Sequence, residues 1–163
     1  MASERAMAGF FGKLPSTGDF VTRGLSPAFR AAWDGWITRH VAGRLGAGPE
    51  GGLRVRLRSG GRVAGGVVLP GRDRIGRSFP LSLLLVADGL PGPDGLDPWC
   101  EAARAAAAVH PEPDALWQAL SDIPVPEGDA AAAAPLLLWT GKASAACDPR
   151  DPAEALGRLL GTG

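Results

Sequence analysis

At 163 residues the chain has the size of one ordinary domain, long enough to bury a core without disulfides or a structural metal. Hydrophobic residues make up 45% and charged residues 21%, which excludes a disordered chain. Net charge is zero, yet residues 1–80 carry thirteen Lys/Arg against five Asp/Glu and residues 81–163 carry four against twelve, so the halves are +8 and −8. Either the halves neutralise each other within one fold, or a basic face awaits an acidic partner. Nucleic acid is disfavoured, because the basic residues lack interleaved aromatics and no DNA-binding motif is present.

Residues 1–8 read as a flexible lead, and Gly9 to Leu14 as a short strand stopped by Pro15. Ser26 and Pro27 are an N-cap and first-turn pair for a helix whose Phe29, Trp33, Trp36, Ile37, Val41 and Leu45 recur at helical spacing. Trp33 and Trp36 are core residues on that pattern, with partner anchoring as the alternative. Leu53, Val55 and Leu57 alternate with Arg54, Arg56 and Arg58, the period of a strand with one wet, positive face. A turn at Ser59 to Arg62 leads to a strand near Val63 to Leu69, in which Gly65-Gly66 marks a bulge or a close backbone approach. A third strand runs from Phe79 to Ala87. Asp97-Pro98 repeats the cap pattern ahead of an alanine-rich helix to about Val109, and Asp114 to Leu120 suits a shorter helix. Pro124 to Ala134 reads as an exposed loop and Leu136 to Thr140, with Trp139, as a buried strand. Asp151 to Glu154 looks like a capping box for a last helix carrying Leu156, Leu159 and Leu160.

Cys100 and Cys147 show no metal-ligand spacing, no secretory signal precedes the first strand, and the apolar run Phe79 to Ala87 is too short to span a bilayer. We therefore expect a cytoplasmic protein with no direct membrane insertion, no metal and no cofactor. His40 and His110 sit outside any catalytic motif. Gly71 to Ser78 imitates a phosphate loop after a strand, but it offers Arg77 in place of the lysine and a strand in place of the helix. Lys13, Asp19, Arg23, Asp73, Arg74 and Arg77 cluster in turn-rich segments beside strand ends. They are either an ion-pair network that fixes loops, with Arg77 on Asp73 or Asp19, or a working surface.

The run Gly9 to Leu25, with Phe29, Trp33, Asp34 and Trp36, resembles the N-terminal signature of the TagF (ImpM) family of type VI secretion accessory proteins. Asp73 to Leu81 resembles the second block of that family and Leu137 to Thr140 its late strand. The resemblance implies a cytoplasmic, non-enzymatic protein that represses secretion post-translationally by binding the forkhead-associated scaffold protein of the apparatus. The chain departs from the pattern between Ala47 and Gly61, where family members often carry a longer, aromatic-bearing insertion.

The expected fold is α+β, one layered domain over 1–163 with a mainly antiparallel sheet of about five strands, packed helices and a longin- or profilin-like topology. The expected partner-binding surface joins Gly12 to Arg23 with Asp73 to Phe79 and includes Phe20 and Phe79 beside the six charged residues above. The alternative function is a small phosphate- or nucleotide-binding enzyme using Gly71 to Ser78.

Overall fold

The computed structural model describes residues 6–128 and 134–161. Residues 1–5 of the expected lead and 129–133 of the expected loop lie outside the described residues, while Met7 and Ala8 already belong to the first strand. In chain order the elements are β1 (Met7–Gly12), β2 (Val21–Arg23), α1 (Pro27–His40), β3 (Leu53–Ser59), β4 (Arg62–Leu69), β5 (Leu81–Ala87), α2 (Pro93–Val109), α3 (Pro113–Asp122), β6 (Leu136–Trp139), β7 (Ser144–Cys147) and α4 (Ala153–Leu160).

The strands form one seven-stranded sheet in the order β2-β1-β5-β4-β3-β6-β7, and every neighbouring pair is antiparallel. Two strands exceed the expected number. β2 has three residues and β7 is Ser-Ala-Ala-Cys, so neither is long enough or patterned enough to show a period of two.

Both faces of the sheet are covered. On one face Trp33, Ile37 and Val41 from α1 and its C-cap, with Ala155 and Leu156 of α4, pack on Phe11, Val55, Leu84 and Leu138. On the other, Leu96, Trp99 and Ala103 of α2 and Leu116 and Leu120 of α3 pack on Phe10, Val67, Leu83 and Leu85. Burying two faces explains why β5 reads as a continuous apolar run and not as an alternation.

The wet, positive face expected of β3 is corrected for two of its three arginines. Arg54 and Arg56 are buried beneath α2, and only Arg58 lies open. Arg54 donates to Asp97 Oδ1 at 2.8 Å and Glu101 Oε2 at 2.6 Å, and Arg56 donates to the carbonyls of Leu90 and Pro91 at 2.6 and 2.9 Å. Their alternation with Leu53 and Val55 is that of a strand with two packed faces, one apolar and one satisfied by α2 and the segment leading into it.

The start of α2 is corrected as well. Gly92 is the N-cap and Pro93 opens the helix, so Pro98 lies inside it. Asp97 does not cap, because its carboxylate accepts from Arg54 and from Trp139 Nε1, each at 2.8 Å. Long-range partners outcompete the local capping signal. The expected capping box at α4 is likewise not formed, since Pro152 holds the cap position and no side chain caps the helix. Ser26 does cap α1, accepting from Phe29 N at 3.2 Å.

Gly65-Gly66 is a close approach. A Cβ at Gly65 would press on Leu90 and Leu96 beneath α2, and one at Gly66 would collide with the backbone of Leu83 and Leu84 on β5. The third expected strand begins at Leu81, because Phe79 and Pro80 belong to the loop before it.

Candidate functional site

The register places the end of β1, the starts of β2 and β5 and the end of β4 together at one end of the sheet. The loop 13–20 between β1 and β2 and the loop 70–80 between β4 and β5 therefore meet. Arg74 N donates to Thr17 O at 2.7 Å and Arg77 Nη2 to Gly18 O at 2.7 Å. Gly71 fits at the base of the junction, where a Cβ would strike the carbonyls of Phe79 and Lys13.

Asp73 organises the junction. Its side chain is shielded from solvent and accepts from Lys13 Nζ at 3.0 Å, Arg77 Nε at 2.7 Å, Ile75 N at 3.0 Å and Arg77 N at 2.9 Å. Burial alone would push its carboxyl up. The Arg77 amide and the Lys13 and Arg77 cations outweigh that and hold it well below the usual carboxylate range. Asp73, and not Asp19, is the partner of Arg77. Asp19 is exposed and turns back to accept from Phe20 N at 2.8 Å.

This arrangement bears on the phosphate-loop reading. The amides of Ile75 and Arg77, which a phosphate would need, already serve the internal Asp73 carboxylate, and the chain continues into β5 instead of a helix. A phosphate there would have to displace a carboxylate held by two cations.

Three rings close the junction. Phe20 stacks on Phe11 with centroids 5.8 Å apart and meets Phe79 edge-on at 4.9 Å, while Lys13 Nζ lies 4.9 Å from the centre of the Phe20 ring. Phe11 is buried, Phe79 half-buried and Phe20 48% exposed, so the cluster rises from the core to the surface. Around Phe20 and Phe79, the loop presents Arg74, Ile75 and Arg77, all exposed.

The expected residues thus separate into three groups. Asp19, Phe20, Phe79, Arg74 and Arg77 lie on the surface of the junction. Lys13 and Asp73 are buried beneath it, which makes them its supports and not a charged rim. Arg23 is engaged elsewhere, its Nε 2.9 Å from Asp114 Oδ1 on α3. Sequence reasoning missed Ile75, 68% exposed, whose signal was an aliphatic residue between arginines in a turn. Trp33, Trp36 and Trp139 are anchored by their indole N–H groups, at 2.8 Å each, on Ser82 Oγ, Pro149 O and Asp97 Oδ1. Trp33 and Trp139 are buried, as core residues should be. No helix among the described residues is long and apolar enough to cross a membrane.

Residues 9–46 match the family described as "TagF N-terminal domain, Type VI secretion system-associated". The whole chain is similar to the crystal structure of PA0076 from Pseudomonas aeruginosa PAO1, with a TM-score of 0.68 and 27% identity over 96% of this chain and 95% of that one. No curated protein matches the chain. The matched segment, which carries most of β1, the first junction loop, β2 and α1, is similar to the TagF N-terminal domain of type VI secretion-associated proteins.

Proposed function

We propose that this protein is a non-enzymatic, cytoplasmic accessory factor that represses type VI secretion post-translationally by binding the forkhead-associated scaffold protein of the apparatus. The observation that carries the reading is the half-exposed Phe20 ring, braced by Phe11 and Phe79 and bordered by Arg74, Ile75 and Arg77. An apolar centre with a cationic rim is the usual anatomy of a specific protein interface, and a ring braced in advance loses little entropy on docking. Phe11 and Phe20 lie within the segment that matches the family, while Arg74, Ile75, Arg77 and Phe79 lie beyond it.

The test is to prepare Phe20→Ala and Arg74→Glu, confirm wild-type unfolding midpoints, and measure binding to the purified scaffold together with secretion from cells. Phe20→Ala should weaken the complex by about 2 kcal/mol and relieve repression. Arg74→Glu should act mainly by slowing association. Folded variants that bind and repress normally would move the working surface elsewhere.

A further inference from the structure

At the same end of the sheet, but toward its β7 edge, lies an open cleft of about 1030 Å³ that the Phe20 surface does not share. Its walls are the loop 44–51 before β3, the Thr140 to Ala143 turn between β6 and β7, the outer face of α2 and the end of α4. Arg44, Arg54, Arg104, Lys142 and Arg158 line it, against the carboxylates of Glu50 and Glu101.

The ion pairs do not cancel that excess. Glu101 is shared by Arg54 at 2.6 Å and Arg104 at 3.1 Å, and Arg54 also holds Asp97. Arg44 spends one N–H on the carbonyl of Ala153 at 3.2 Å. Among the described residues Lys142 and Arg158 form no ion pair, and both are exposed. Cations left unneutralised around one concavity create a field that attracts an anionic ligand.

The remaining lining decides which anion. Leu45, Leu159 and Leu160 supply an apolar floor, and no aromatic ring lines the cleft. A nucleotide or single-stranded nucleic acid gains much of its affinity by base stacking and would find no platform. A side chain with an apolar body flanked by carboxylates matches both the floor and the rim, and guanidinium groups bind carboxylates with two parallel hydrogen bonds. We infer that the cleft between the 44–51 loop, the β6–β7 turn and α4 is a second binding site, which takes an acidic peptide segment carrying apolar residues between its carboxylates. The inference stands on the cleft alone and does not depend on the role proposed for Phe20.

The experiment uses the full chain and three probes with the same fluorescent label: a decapeptide of alternating Glu and Leu, its counterpart of Lys and Leu, and a decauridylate. Anisotropy should show saturable binding of the Glu/Leu peptide that weakens with salt, and no comparable binding of the other two. The double variant Lys142→Glu/Arg158→Glu should lose about tenfold or more in affinity, whereas Phe20→Ala should bind the peptide like wild type. If the double variant does not keep its far-UV spectrum, the single variants Lys142→Gln and Arg158→Gln serve in its place and should each weaken binding. Equal binding of the Lys/Leu peptide, preference for decauridylate, or folded variants that bind the acidic peptide undiminished would each overturn the assignment.

Discussion

Asp73 shows how one residue can hold two loops. Its folded carboxyl stays ionised to a pH well below the unfolded aspartate value of about 3.9. The ionised form therefore adds stability at every pH above that unfolded value, and the contribution drains away as pH falls below it toward the folded one. Asp73→Asn should lower the urea midpoint at neutral pH and flatten its dependence on pH below about 4. An unchanged acid-unfolding profile would mean that the Lys13 and Arg77 contacts are dispensable. The two thiols differ in a similar way. Cys100 is buried, and burial pushes it up to about 12, while Cys147 is half-buried and also raised. A thiol reagent applied to native protein should modify Cys147 first and leave Cys100 until unfolding.

At the scale of elements, α1 is held by aromatic side chains on consecutive turns. The rings of Phe29, Trp33 and Trp36 stack at centroid distances of 6.0 and 5.3 Å, and Trp33 is the one that enters the core. Trp33→Ala should cost about 3–5 kcal/mol, read from denaturant unfolding, because it removes a buried ring and orphans Ser82. The β4 strand imposes the opposite constraint. Gly66→Ala would force β4 away from the backbone of β5 and should destabilise by about 1–3 kcal/mol. A neutral effect there would show that the two strands have room to separate.

For the whole molecule, the charge asymmetry resolves largely inside the fold. Arg23 with Asp114, Arg54 with Asp97 and Glu101, and Arg62 with Asp88 are all pairs between the basic first half and the acidic second half. Most are at least partly exposed and contribute accordingly. Asp114→Ala should change stability by less than about 1 kcal/mol, since that carboxylate is 86% exposed. Among the described residues, five cations with no ion pair lie at one end of the sheet, Arg72 and Arg74 in the first junction and Arg44, Lys142 and Arg158 around the cleft, while Arg58 lies toward the opposite end of β3. Antiparallel pairing brings the 13–20, 44–52, 70–80 and 140–143 connections to that end, so the order of strands concentrates loops that are distant in sequence.

What the sequence determined by itself is local. Ser26 and Pro27 start α1 because a cap needs only its own neighbours, and Gly60-Gly61 turns β3 into β4 because both residues adopt positive φ, which only glycine does freely. The meeting of loop 13–20 with loop 70–80 was also legible, through charges set beside strand ends. Tertiary structure decided whatever depends on partners far along the chain. Nothing near Arg54 and Arg56 in sequence announces that α2 will cover them, and nothing near Asp97 reveals that Arg54 and Trp139 will claim its carboxylate. The inward turn of Lys13 and Asp73 belongs to the same class, because a charge becomes a core residue only where another segment supplies its counterion.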